Sequence, residues 1–364
     1  MSIFYRSKWL LKLLRIFSFL RYYWNKFRSN TLTLKDSFSE FHAEMWHTAA
    51  DKLSVELVSY SGGFHKASYG DGSTWIQDYQ VQCDHHVMLE LARNKPLVNT
   101  LLANQSIPVP LFHAFTLKDI ASAGEFLNSQ NTPCVVKPAL RSAGGQGVTT
   151  NVKTNRGLVR AAIFASVFSP LVMIERQVPG DVYRLLYLDG DLIDVIRRRP
   201  PHVIGDGHST IRRLIQAENR RRIEQSGHSA LKVLLIDIDC RKSLRRAGLS
   251  LKSVPERDRV VDVKSTTNES AAKECETIRT LISDELVQEG AHAAEVLGIR
   301  LAGIDVITHD VGISLKQSGG MIIEVNVSPG LHYHYHVRNP EDSIPVAIPI
   351  LRRLLDIKEK IEKT

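Results

Sequence analysis

The segment that most constrains this 364-residue chain is MIIEVNVSPG, residues 321–330. It is an apolar run that reads as a buried β-strand, yet Glu324 and Asn326 stand inside it. Residues two apart share one face of a strand. These two side chains therefore point the same way, and Val325 and Val327 point the other. Burying a carboxylate and an amide is costly unless they have partners; the plain alternative is the solvent-facing side of a half-buried strand. Ser328-Pro329-Gly330 ends the strand abruptly. A second strand, LAGIDVIT, is interrupted in the same manner by Asp305. The short connection between them suits an antiparallel hairpin, which would set Asp305 beside Glu324 and Asn326. Two carboxylates and an amide oxygen are hard donors suited to Mg²⁺, with Mn²⁺ as an alternative. Mg²⁺ commonly completes its shell with substrate phosphates.

A cradle for phosphates is legible upstream. PCVVKPAL is a short apolar strand that ends at Lys137-Pro138, and RSAGGQGV follows it. Gly144, Gly145 and Gly147, with Ser142 beside them, would let backbone N–H groups approach anionic oxygens. No GK[ST] follows, so this is not a Walker A loop. By itself a glycine-rich turn is more often only a turn; beside a lysine-ended strand and a metal set it becomes specific. LVMIERQV is a further apolar strand ending in polar groups, and fits a nucleotide hinge. Glu175 would accept from an adenine amino group, while backbone groups of Arg176 and Val178 pair with the ring edge. DVYRLLYLDGDLIDVIRRRP reads as two strands around an Asp-Gly turn. Alternation keeps Arg197 and Arg199 off the face of Arg198. Arg198 is the favoured bidentate clamp for a carboxylate or acyl phosphate, with Arg184 as a second candidate; a solvated basic edge is the alternative.

Helices are expected over 86–104, 155–167, STIRRLIQAENRRRIEQ, 271–298 and 342–360, with a charged, loop-rich stretch at 240–268. The net charge of +8 is concentrated at the start: residues 1–30 hold seven Lys/Arg and no Asp/Glu. The remainder is near balance, so basicity is weak evidence for nucleic acid, and no such partner is expected. The first 30 residues mix basic and large apolar side chains at roughly helical spacing. They read as a basic amphipathic helix on a membrane surface, or as a helix packed on its own domain or on a partner. No uncharged apolar stretch is long enough to span a bilayer. The four cysteines are scattered, with neither a CxxC pair nor a disulfide framework. A cytoplasmic protein is expected, with a peripheral position at the inner membrane face as an alternative, and a homo-oligomer.

The order VVKP, glycine-rich loop, IER, GID and IIEVNxSPG resembles the ATP-grasp superfamily. The similarity is greatest to the ATP-grasp part of cyanophycin synthetase and of bifunctional glutathione synthetase. RRRPPHVIGDGHSTIRRLI and LARNKPLVNTLLANQSIPVP are also like that branch, and the resemblance covers about residues 90–335. It implies an α+β fold in which two subdomains clamp ATP, here with an N-terminal extension. The expected division is a basic segment at 1–30, an N-terminal subdomain at 31–90 and the ATP-grasp domain at 91–360. The resemblance also implies ATP-dependent joining of a carboxylate to an amine through an acyl phosphate. By position, Lys95 and Lys137 would contact the phosphates, Glu175 and Val178 the adenine, and Asp305, Glu324 and Asn326 the Mg²⁺ ions. Small-molecule carboxylate and amine substrates follow, one of them an amino acid or peptide. An ATP-grasp kinase or a non-catalytic ATP-binding regulator are the rival readings.

Two departures stand out. TTNESAAKE keeps Asn268 and Ser270 but has Ala271 and Ala272 where the resembling enzymes have glycines. LHYHYHVR replaces an arginine-containing stretch. Read as a strand, it would align His332, His334 and His336 on one face, as a zinc site, a pocket wall or simple packing.

Overall fold

The computed structural model describes residues 14–20, 33–142, 144–224 and 232–358. A long helix, α1 (Thr33–Leu53), precedes a four-stranded antiparallel sheet of β1 (Glu56–Ser59), β2 (Phe64–Tyr69), β3 (Gly72–Gln77) and β4 (Gln80–Val81). The expected single helix over 86–104 is two, α2 (His86–Ala92) and α3 (Lys95–Asn104). They part at Asn94, whose side chain accepts from Leu97 N as the N-cap of α3, with Pro96 in its first turn. That break starts a fresh helix at Lys95.

A second antiparallel sheet has the order β5-β8-β6-β7. It comprises β5 (Phe112–Phe115), β6 (Cys134–Pro138), β7 (Thr149–Val152) and β8 (Val172–Arg176), with α4 (Ile120–Ser129) and α5 (Asn155–Ala165) packed on it. Its core holds Phe115, Val136, Leu158 and Ile174.

The central sheet has the order β13-β10-β9-β14-β15. Its strands are β9 (Asp181–Leu188), β10 (Asp191–Arg198), β13 (Cys275–Thr277), β14 (Leu301–Thr308) and β15 (Met321–Val327). Between β10 and β13 lies an insertion of β11 (His202–Ile204), α6 (Ile211–Glu224), α7 (Ile238–Arg246) and β12 (Val260–Asp262), with its own core around Ile211, Leu244 and Val261. The stretch expected to be loop-rich thus carries a helix capped by Asp237, which accepts from Cys240 N, and a strand paired with β11.

Strand alternation builds two cores. Tyr183, Leu185 and Tyr187 of β9 and Ile304 of β14 pack beneath α3 and α8 (Asp284–Val296). Leu186, Leu188 and Leu301 face α1 and α10 (Ala347–Leu354). Both late helices are shorter than expected. Ser283 starts α8 by accepting from Leu286 N, and the residues before it pair as β13 with β10. The β-branched Thr277 and Ile278 disfavour helix there, and Arg279–Leu281 forms only a 3₁₀ turn.

A β-bulge falls between Asp305 and Val306, opposite Glu324 and Ile322. It lets Ile322 enter the core, 1% exposed, while Glu324 keeps the other face. Strict alternation would have put these two residues together. The LHYHYH stretch is not a strand: after Pro329-Gly330 it turns as a 3₁₀ segment, Leu331–His334. His332 and His334 are both buried.

Candidate active site

The hairpin forms as expected, with Asp305 directly opposite Glu324 and Asn326 opposite Gly303. Asn326 Nδ2 donates to Asp305 Oδ2 at 3.2 Å and to the Gly303 carbonyl at 3.2 Å, which orients its own amide oxygen. The pair opens on a cavity of about 280 Å³ lined by both sheets. Lys95, Lys137, Ser142, Gly145, Glu175, Arg176, Val178, Arg198, Asp305 and Glu324 all line it.

Cations from the second sheet and from α3 meet carboxylates here. Lys95 Nζ lies 3.1 Å from Glu324 and donates to the Ser142 carbonyl at 3.1 Å. Lys137 pairs with Glu175 at 2.7 Å and donates to the Ile323 carbonyl at 3.3 Å. That carbonyl belongs to the residue between Ile322 and Glu324 in the bulged stretch, a common use of bulges beside active sites. Burial raises the Glu175 carboxyl above its ordinary value, against the pull of Lys137. Its Oε2 is buried without a partner, an acceptor ready for a donor on a ligand.

The glycines divide. Gly145 has φ of +71°, and a Cβ there would lie 1.9 Å from Asn268 Nδ2, so the Asn268 side chain would have to move. Gly147 is excluded from bearing a Cβ by Phe168 and Pro138 at 2.7 and 2.8 Å, a packing requirement. Gly144 and Gly147 line a smaller neighbouring cavity of about 70 Å³ and not the main one.

The arginines divide as well. Arg184 donates to Asp305 through both Nε and Nη2, the latter at 2.8 Å. Burial disfavours its charge, yet Asp305 holds the guanidinium above its ordinary value. It is committed to that carboxylate and does not line the cavity as a free clamp. Arg198 is 2% exposed, donates to the Thr267 carbonyl at 2.7 Å and keeps Nε buried without a partner. Arg197 turns away to Glu276 and Asp181, as alternation requires.

Sequence reasoning missed Tyr333. Its ring lies 4.1 Å from the Arg198 guanidinium, a cation–π contact, and its hydroxyl donates to the Asn268 carbonyl at 3.3 Å. The strand reading of LHYHYH hid it. In the alanine-bearing loop Ala271 N donates to Glu274 at 2.7 Å, and Ser270 Oγ donates to the Arg199 carbonyl at 2.7 Å.

No family model matches the chain. The chain is 31% identical to cyanophycin synthetase of Trichormus variabilis over 299 residues, covering 81% of this chain and 32% of that protein. It is 27% identical to the glutathione biosynthesis bifunctional protein GshAB of Enterococcus faecalis over 289 residues, covering 78% and 38%. A bifunctional glutathione synthetase from Pasteurella multocida shares the fold, with a TM-score of 0.52 at 20% identity over 82% of this chain and 41% of that one. The chain belongs to the ATP-grasp superfamily. It spans about a third of the length of the curated relatives it matches. ATP-grasp ligases use ATP and divalent metal ions. The groups at this site are compatible with both: the facing carboxylates of Asp305 and Glu324, a loop with Gly145 at positive φ, and a buried acceptor on Glu175.

Proposed function

We propose that this ATP-grasp chain joins a carboxylate to an amine at the expense of ATP, with an amino acid or peptide as one substrate. The carrying observation is the cross-strand pair Asp305–Glu324, buttressed by Asn326 and facing Lys95, Lys137 and Gly145 across one cavity. Mg²⁺ held by Asp305, Glu324 and Asn326 would neutralise charge on the transferred phosphoryl group. Lys95 and Lys137 would hold the phosphates from the opposite wall. Glu175 Oε2 would accept from the adenine amino group, beside backbone groups of Arg176 and Val178. Arg198, buried with an unpartnered Nε, would clamp the substrate carboxylate and hold it in line. The loop around Gly145 would shield the acyl phosphate from water. Screening amino acids singly and in pairs for ADP release, with mass spectrometry of the products, tests this reading; an amide product supports it. ADP release with a stable phosphorylated product would contradict it.

Docking of residues 1–30 on an anionic membrane surface belongs to the same reading. Residues 14–20 are helical and present Leu14, Ile16, Phe17 and Leu20 to solvent; most of the segment lies outside the described residues. Among the described residues no helix is long and apolar enough to cross a membrane. Deleting residues 1–28 is expected to abolish binding to anionic vesicles and leave ATP turnover intact. Unchanged vesicle binding would contradict it.

A further inference from the structure

Asp194 and Arg198 lie on one face of β10, four residues apart and so about 13 Å along the strand. The 3₁₀ segment Leu331–His334 touches both. His334 Nδ1 lies 2.7 Å from one Asp194 oxygen, and the Tyr333 ring lies over the Arg198 guanidinium at 4.1 Å. Thr277 of β13 donates to the other Asp194 oxygen at 2.8 Å. Asp194 and His334 are both fully buried, and no step of the proposed reaction uses them. A buried carboxylate with two partners holds its surroundings in one arrangement. Here it fixes the end of the segment that carries Tyr333.

Arg198 needs a second support. Its Nη2 donates to the Thr267 carbonyl at 2.7 Å, but its Nε is buried without a partner. One hydrogen bond along one edge leaves the guanidinium plane free to turn, whereas an aromatic face beneath it does not. The Tyr333 hydroxyl donates to the carbonyl of Asn268, the residue next to Thr267, at 3.3 Å. Arg198 and Tyr333 are thus tied to consecutive carbonyls of one loop and to each other. Burial opposes ionisation of Tyr333, yet Lys232, Arg198 and Arg184 hold its hydroxyl below the ordinary tyrosine value. The N-terminal helix backs the ring from a further element. His332 lies 4.1 Å from Tyr333, and Phe38 and His42 of α1 pack edge-on against His332 at 5.4 and 5.6 Å.

Arg198 lines the main cavity and Tyr333 does not, so any part Tyr333 plays there passes through Arg198. We propose, resting on the ligase reading above, that Tyr333 is a positioning residue for Arg198. Its ring holds the guanidinium plane toward the substrate carboxylate, and the Asp194–His334 pair holds the ring.

Two measurements on the full chain test this, with folding of every variant checked by thermal melting. The first needs no substrate. With ¹⁵N-labelled arginine, the Arg198 Nε–Hε signal, assigned by its absence in Arg198→Lys, is expected to be shielded by the Tyr333 ring. Tyr333→Leu should abolish that shielding and Tyr333→Phe should keep it. Asp194→Asn should shift the signal in the same direction as Tyr333→Leu, and His334→Leu serves if Asp194→Asn does not fold. An unmoved signal in Tyr333→Leu, or in a folded variant of the anchoring pair, would overturn the proposal. The second measurement uses the best carboxylate–amine pair from the amino-acid screen. Tyr333→Leu is expected to raise the KM for the carboxylate about tenfold, to leave the KM for ATP unchanged, and to be rescued by phenylalanine at 333. Equal rises in both KM values, or no rescue, would overturn it. Absence of any amide product from the parent counts against the ligase reading alone, since the arginine signal still decides whether Tyr333 positions Arg198.

Discussion

Arg184 on β9 stands opposite Asp305 on β14 and grips its carboxylate with two guanidinium nitrogens. Both side chains are more than nine-tenths buried, so the charge of each depends on the other. Arg184→Met leaves the carboxylate without its counter-ion, and removing one member of a buried pair costs ~3–5 kcal/mol. Urea unfolding measures it. A loss below ~1 kcal/mol would mean that Asp305 does not rely on Arg184.

Gly145 is expected to be intolerant in a way that Gly190 is not. Both have positive φ, but a Cβ at Gly145 meets Asn268, whereas at Gly190 nothing lies within 4 Å. Gly145→Ala strains the loop through its φ and forces the Asn268 side chain or the loop to move; it is expected to weaken ATP-analogue binding about tenfold or more, the ~1.4 kcal/mol of a misplaced backbone donor. Gly190→Ala, strained by its φ alone, is expected to cost only ~1 kcal/mol of stability and no affinity. Equal affinities for both variants would remove Gly145 from the cradle.

The histidine cluster makes stability depend on pH. Burial pushes His332 well below the ordinary histidine value, lowers His42, and takes His336 down to about 4, where His42 adds to the effect. Once unfolded, each titrates near ~6.5. Between those limits the unfolded chain binds more protons, so stability is full above about pH 6.5 and falls as the pH drops toward 4. His332, with both ring nitrogens buried and unpartnered, contributes up to ~1.4 kcal/mol per pH unit. Unfolding free energies of the parent and of His332→Phe at pH 7 and pH 5 check this. The variant should show the flatter dependence; parallel curves would contradict it.

Much of the candidate site is legible in the sequence because polar residues stand where folding alone prefers apolar ones. Asp305, Glu324 and Asn326 announced themselves by interrupting buried strands, and a short connection was enough to pair them. What stayed hidden depended on register and on partners distant in sequence. The bulge at Asp305 that admits Ile322 to the core leaves no mark in a period-2 pattern. That Arg184 serves Asp305, while Arg198 faces the cavity beside Tyr333, is decided by pairing across three strands. The alternation within LHYHYH reads as a strand, whereas Pro329-Gly330 and a buried Asp194–His334 contact at 2.7 Å turn the chain into a 3₁₀ segment. The excess of basic residues at 201–263, 13 against 8, is hidden in the near-balance of residues 31–364, 40 against 39.

The most direct measurement pairs ADP with amide product in one reaction, parent against Glu324→Gln, using the best amine–carboxylate pair from the screen. The substitution keeps the shape of the side chain facing Asp305 and removes its charge. Losing one such preorganised electrostatic group lowers rates on the order of 100-fold or more. ADP and amide are expected in equal amounts from the parent, and both should fall together by that factor in the variant. Full turnover by Glu324→Gln, or ADP without amide in the parent, would contradict the account.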